Sequence, residues 1–268
     1  MKNKLLNFNG KLFSLERPVV MGILNVTPDS FVAGSRQQNE SEVIRRIETI
    51  MTEGGELIDI GGCSTQPGAV EVTPDEEWRR LEPALNILMK EYPKIPVSID
   101  TFRAELAKRA VTAYGVAMVN DISGGAMDAN MFETVAEMQV PYVLTHFKYD
   151  LQEEVMICLA EKLQKLYSLG INDVILDPGF GFGKTPAQNY NLMRNMGQFS
   201  LLFDCPLMVG ISRKSMIYNL LDCTIEESLN GTTVLNTYSL LNGADILRVH
   251  DVKAAVEVVR LVEKIKNK

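Results

Sequence analysis

Asn25, Asp100, Asn120, Asp121, His146, Asp177, Ser212, Lys214, Arg248 and His250 each stand at or just past the end of a short apolar run. Between them they supply carboxylates, amides, cations and imidazoles, the groups that hold a polar heterocycle and a phosphate chain. Arg248 and His250 alternate in DILRVH, so on a strand both point to one side. Such a pair can stabilise negative charge growing on a leaving group. Ser212 and Ser215 are not read as nucleophiles, because no histidine adjoins them in sequence and no G-x-S-x-G elbow occurs.

The stretch DPGFGFGKT, Asp177 to Thr185, ends like a nucleotide-phosphate cradle. A P-loop needs G-x-x-x-x-G-K-S/T, and counting back from Gly183 puts its first glycine at Pro178. Proline offers no N–H to a phosphate. The glycines therefore serve turning and close backbone approach, and Lys184 is read as a solvated loop cation.

Eight apolar runs must position these residues: VVMGILN to Asn25, LIDIGG to Gly62, PVSID to Asp100, VAMVND to Asp121, PYVLTH to His146, DVILD to Asp177, PLMVGIS to Ser212 and DILRVH to His250. They are near-continuously apolar, as strands buried on both faces are. Helical periods separate them, as in EVIRRIETIM and FRAELAKRAV, and Thr73-Pro74-Asp75-Glu76 is a helix start. Eight β-then-α units predict an α/β fold, a single-domain (β/α)8 TIM barrel over residues 1–268. The lead-in 1–17 should cover the barrel's bottom. An open doubly wound sheet is the alternative. In a barrel, the C-terminal strand ends form the active site, which would gather the ten residues on one face.

Composition narrows the function class. A net charge of −7 disfavours nucleic acid and anionic membranes as partners. With 46% apolar and 23% charged residues, both a full core and a polar surface are available. Cys63, Cys158, Cys205 and Cys223 have no zinc-site spacing and suit a reducing compartment. No segment is long and apolar enough to span a bilayer. The expected location is the cytoplasm.

The segments MGILNVTPDSF, DIGGCSTQPGA, SIDTFRAELA, VNDISGG, DPGFGFGKT, GISRKSMI and GADILRVHDV resemble, in order and over nearly the whole chain, the dihydropteroate synthase family. The resemblance implies that 4-aminobenzoate displaces diphosphate from a dihydropterin methyl diphosphate, by a dissociative substitution. It assigns Asp100, Asn120, Asp177 and Lys214 to the pterin, with Asp100, Asp177 and Lys214 catalytic. Asn25, Thr65, Arg248 and His250 would hold the diphosphate, and Asn25 its Mg²⁺. Thr65, Pro67, Phe182 and Ser215 would meet aminobenzoate. It also implies a homodimer formed through the last helices.

Three departures from the family pattern fall on loops. Cys63 and Gln66 stand where a glutamate and an arginine are usual, Ala33 replaces an acid, and HFKYDLQEEV is shorter than the usual loop. Glutamine cannot supply arginine's charge or its fork. Turnover and sulfonamide sensitivity are where these changes should act. Two competing readings are a pterin-binding barrel that has lost activity and a methyltetrahydrofolate methyltransferase. The latter needs no diphosphate site, so Arg248, His250 and Ser215 argue against it.

Overall fold

Alternating inward and outward side chains on uniformly buried strands decide the architecture. The computed structural model describes residues 4–27, 36–63, 72–147 and 152–266. A hairpin, β1 (Leu5–Phe8) and β2 (Lys11–Ser14), precedes eight parallel strands. These are β3 (Val19–Asn25), β4 (Leu57–Gly61), β5 (Val97–Asp100), β6 (Met118–Asp121), β7 (Tyr142–Thr145), β8 (Val174–Asp177), β9 (Met208–Val209) and β10 (Ile246–Val249). Between them run α1 (Arg36–Thr52), α2 (Pro74–Glu91), α3 (Ala104–Tyr114), α4 (Met131–Met138), α5 (Gln152–Ser168), α6 (Pro186–Arg194), α7 (Gly197–Leu202), α8 (Ser215–Leu221) and α9 (Leu229–Leu241). Helix α10 (Val252–Lys266) follows the last strand.

The strands pair in the order β8-β7-β6-β5-β4-β3-β10-β9. Leu176 on β8 bridges Leu207, just before β9, through a 2.9 Å bond from its N–H to the Pro206 carbonyl. That bridge brings the two ends of the sheet together, so the barrel reading holds and the open doubly wound sheet does not. Outward residues such as Ile58, Ile60, Ile99, Val119, Leu144 and Leu247 pack with the helices in one large core. Inward residues near the strand starts, including Met21, Leu57, Met118, Val143, Ile175, Met208 and Ile246, cluster with Leu6, Phe8 and Leu15 of the hairpin region. The lead-in therefore plugs the bottom of the barrel, as the sequence indicated.

The expected helix start at Thr73 is present. Thr73 caps α2 by accepting from the Glu76 N–H at 3.3 Å, with Pro74 in the first turn. Such a cap contributes about 1 kcal/mol. Four strands end earlier than their apolar runs imply, β4 and β10 by one residue each at Gly61 and Val249. Strand β7 stops at Thr145, although the His146 N–H still donates to the Asp177 carbonyl at 3.0 Å. Strand β9 keeps only two ladder residues, so Ser212 lies beyond it. Apolar content reports burial, whereas ladder length depends on how far the neighbouring strands stay parallel and close.

Candidate active site

The upper inward positions of the barrel are polar where the lower ones are apolar. Asn120 and Asp177 are buried, and Asp100 and Arg248 are largely so. Arg248, on β10, donates from Nη2 to Asp100 Oδ2 and from Nε to Asp59 Oδ2, both at 2.6 Å. The Asn120 amide donates to the same Asp59 oxygen at 2.9 Å. Asn25 belongs to this group through Gly61. A methyl built on that glycine would lie 3.6 Å from both Asn25 Oδ1 and Asp100 Oδ2. The register pairs Gly61 with Asn25 on one side and with Asp100 on the other.

Across the mouth stand Asp177 and Lys214. Asp177 Oδ1 accepts the Gly179 N–H at 2.8 Å, a turn that fixes the carboxylate at the root of the glycine loop. Gly179 has φ +74°, and a methyl there would come within 2.1 Å of the His146 carbonyl oxygen, so only glycine fits. The Lys214 ammonium donates to the Phe180 carbonyl and lies 4.3 Å over the Phe182 ring, which stacks on Phe147 with centroids 6.0 Å apart.

Burial shapes the titration of this cluster. It raises Asp100 to about 7, against the pull of Arg248 and with help from the charges of Asp59 and Glu77. It raises Asp177 as well, opposed chiefly by Lys214. It lowers Lys214 to about 8, partly offset by Asp177. His250 keeps an open edge to solvent. Desolvation of its ring by surrounding protein, together with Arg248 and Arg46, nevertheless holds it down to about 4.

The profile of the pterin binding enzyme family matches residues 21–250. The chain belongs to the pterin binding enzyme family. It is 37% identical over 260 residues to dihydropteroate synthase of Bacillus subtilis (strain 168), covering 94% of this chain and 90% of that one. Identity to dihydropteroate synthase of Escherichia coli (strain K12) is 36% over 268 residues, covering 95% and 94%. The solved structure of Xanthomonas albilineans dihydropteroate synthase with 4-aminobenzoic acid superimposes with a TM-score of 0.92 at 34% identity, covering 100% of both chains. The same enzyme in complex with 7,8-dihydropteroate gives 0.87 at 33% identity, covering 98% and 99%.

Within this pterin binding enzyme, Asn25, Asp100, Asn120, Asp177, Lys214 and Arg248 come together at the upper end of the barrel, with the Phe182 ring beside Lys214 and an exposed His250 following the last strand. Ser215 is exposed at the first turn of α8. Thr65, Pro67, Gln66 and Ala33 lie outside the described residues. Cys63 sits just past β4, where burial and the nearby Glu77 charge push its thiol up.

Two readings need correction. Lys184 is no solvated cation: its ammonium donates to the carbonyls of Gly179, Phe182 and His146 at 2.8, 3.2 and 3.1 Å, stapling the loop to β7. His250 does not share the strand with Arg248, because β10 ends at Val249. Arg248 turns in to the carboxylates, while His250 Nδ1 sits 3.1 Å from Ser212 Oγ. That contact resembles a nucleophile–base pair. The adjacent Asp251 does not orient the imidazole in the triad manner, since both its oxygens accept from Arg213 at 2.8 Å.

Sequence reasoning missed Asp59, Arg46 and Arg103. Asp59 had a signal, a lone carboxylate in the apolar run LIDIG. Arg46 on α1 reaches the His250 carbonyl at 2.7 Å. Arg103 pairs with the fully buried Glu77 and donates to the Val72 carbonyl at 2.6 Å, anchoring the described end of the second-strand loop. These two are ordinary helix-start and helix-face cations by sequence.

Gly210 offers a test of the cavity's position. A methyl built there meets Arg248 Cδ at 3.9 Å and Arg248 Cβ and Asp177 Oδ2 at 4.0 Å, ordinary contacts. Gly210→Val should therefore leave the melting temperature nearly unchanged while raising KM for the pterin substrate about 10- to 100-fold. Steady-state kinetics beside thermal unfolding would check this, and an unchanged KM would move the pocket elsewhere.

Proposed function

We propose that this chain condenses a (7,8-dihydropterin-6-yl)methyl diphosphate with 4-aminobenzoate, forming 7,8-dihydropteroate and diphosphate. The bond from the methylene carbon to oxygen breaks, a bond to the amine nitrogen forms, and the amine loses one proton. The observation that carries this reading is the meeting of Asp177 and Arg248 about Gly210, where an added methyl would lie 4.0 Å from Asp177 Oδ2 and 3.9 Å from Arg248 Cδ, so that acceptors and a paired cation face one space. The Bacillus and Escherichia relatives named dihydropteroate synthase support it.

The pterin's guanidine-like edge presents paired N–H donors, which a carboxylate answers with two parallel bonds. Asp177 is the carboxylate for it, with Asn120 and Asp100 on the remaining ring edge and Lys214 on the ring carbonyl. Arg248, His250, Thr65 and Asn25 face the diphosphate. Ser212 Oγ already accepts the His250 backbone N–H at 3.1 Å. Its own proton can then go to Nδ1, so a neutral His250 presents Nε2–H outward to a phosphate oxygen. Phe182, Pro67, Thr65 and Ser215 receive aminobenzoate. As the leaving group departs, positive charge spreads over the pterin ring, and ionised Asp100 and Asp177 stabilise it. That is the dissociative course.

Magnesium suits the donor set. Asn25 Oδ1 is a hard oxygen at the mouth, and Mg²⁺ commonly takes most of its ligands from substrate phosphates and water. When bound, it would neutralise charge on the departing diphosphate.

Calorimetry with the pterin diphosphate, followed by a diphosphate-release assay with aminobenzoate, tests the whole reading. Binding followed by release is expected. Binding without release would leave an inactive pterin-binding barrel, and absence of binding would refute both.

The pH dependence follows from the site. Catalysis wants Asp100 ionised and Lys214 protonated, and their values of about 7 and about 8 set the limbs. kcat/KM for the pterin substrate should rise through neutrality and fall above about 8, with limbs that belong to the coupled cluster. A profile flat across that window would contradict the assignment.

A homodimer fits the outer face of the last helices. Val234, Tyr238 and Leu241 on α9 are exposed at helical spacing, and so are Leu261 and Ile265 on the adjacent α10. Large apolar side chains exposed together on adjacent helices mark an interaction surface, and a second copy of the chain is the partner we assign to it. Sedimentation should give twice the chain mass, reverting to one with Val234→Glu and Leu261→Glu together. A monomeric wild type would dismiss it. The substrates are small molecules, and no helix among the described residues is long and apolar enough to cross a membrane. A cytoplasmic location is consistent with four free cysteines.

A further inference from the structure

We propose that Asp59 is the positioning residue of this site, its buried carboxylate fixing the plane of the Arg248 guanidinium and the sense of the Asn120 amide before substrate arrives. It rests on the reading of the cavity as a pterin diphosphate site.

Asp59 is fully buried, one step below Gly61 on the inward face of β4, and so stands beneath the residues at the mouth. A carboxylate without solvent is strongly unfavourable unless paired. Here its pairing rests on one oxygen. Oδ2 accepts from Arg248 Nε at 2.6 Å and from Asn120 Nδ2 at 2.9 Å, while Oδ1 has no hydrogen-bond partner among the described residues.

Two consequences follow for the atoms that face a ligand. Asp59 and Asp100, on neighbouring strands, take Nε and Nη2 of Arg248, so the guanidinium is held in one plane. Nη1 is the nitrogen left over for a substrate oxygen. The second concerns Asn120. An ionised carboxylate only accepts, so the amide must turn its NH2 toward Asp59. The oxygen Oδ1 is then the atom left over, and it is buried without a partner among the described residues. Asp59 thereby dictates that the site offers an acceptor at Asn120 and a donor at Arg248. A heterocycle with an N–H at that edge fits, and one with a bare ring nitrogen does not.

Asp59→Asn should loosen this hold. Arg248 can only donate, so the variant's amide oxygen stays at the Oδ2 position and still accepts from Arg248 and Asn120, but the charge that strengthens both bonds and holds the two groups in place is gone. kcat/KM for the pterin diphosphate should fall about 10- to 100-fold, with KM for aminobenzoate within about twofold. The pH profile adds a readout that loosened packing would not move. Asp100 faces Asp59 on β4, Arg248 on β10, Glu77 on α2 and Asp121 on β6, with Lys214 across the mouth. Of these, Asp59 is the largest charge holding Asp100 up, so its loss should shift the acidic limb to lower pH by roughly half a unit or more.

Diphosphate release by the wild type is measured first, because its failure would refute the functional reading and not this one. Given an active wild type, Asp59→Asn with unchanged kcat/KM, or with an unmoved acidic limb, overturns the proposal. If the single variant does not fold, Asp59→Asn combined with Arg248→Gln removes both charges of the pair and is compared with Arg248→Gln alone, by binding of the pterin diphosphate. Because the variant's amide oxygen still accepts from Asn120, equal affinity supports action through Arg248, and a further tenfold loss rejects the proposal.

Discussion

Arg248→Met is expected to lower the rate of diphosphate release by about 100- to 1,000-fold and to destabilise the fold by about 3–5 kcal/mol near neutral pH. The rate loss follows from removing a cation held by Asp59 and Asp100 where negative charge grows. The stability loss has a separate origin. Arg248 is the shared partner of Asp59 and Asp100, and methionine fills its volume while leaving two carboxylates facing each other in the interior.

The sign of the pH dependence separates the two effects. Without the guanidinium, the folded carboxylates hold their protons to higher pH than the unfolded chain does. The folded state then binds more protons, so stability falls as pH rises from about 4 toward the folded pKa. The variant should sit closest to wild type near pH 4 and lose ground toward neutrality. Urea unfolding at an acidic and a neutral pH would measure this. Equal destabilisation at both would mean that Arg248 acts through packing alone.

Asp177→Asn is expected to weaken binding of the pterin diphosphate by about 1,000-fold or more, with little change in stability. The variant keeps Oδ1, and with it the bond to the Gly179 N–H that shapes the loop. The change falls on the other atom. An NH2 replaces the acceptor that a guanidine-like edge needs, so donor meets donor in a site that excludes water. Mismatches of that kind discriminate far more strongly than a lost apolar contact. Stability is spared because burial already opposes the Asp177 charge. A second readout travels with the variant. Asp177 is the main group raising Lys214, so its removal should move the basic limb below about 8. Calorimetry showing affinity within tenfold of wild type would reassign the pterin edge to another residue.

Local sequence carried the order of elements and the place of each chemical group along them. Continuous apolar runs, the Thr73-Pro74 cap and the polar residue closing most of those runs are properties of a few adjacent residues, so they read directly from the string. Asn25, Asp100, Asn120, Asp177 and Arg248 were legible for that reason. The P-loop reading of DPGFGFGKT failed on Pro178 alone.

Tertiary structure decided which groups touch. Asp59 and Arg248 lie 189 residues apart and meet only because β10 pairs with β3, which pairs with β4. His250 reaches Ser212, and Lys184 reaches the His146 carbonyl, across 38 residues each. Those contacts depend on how the barrel closes and how each loop turns back over it. The pattern of one strand holds no information about its neighbour's register. Hence Asp59 looked like an oddity in LIDIG, and only the folded barrel makes it the carboxylate on which Arg248 and Asn120 both depend.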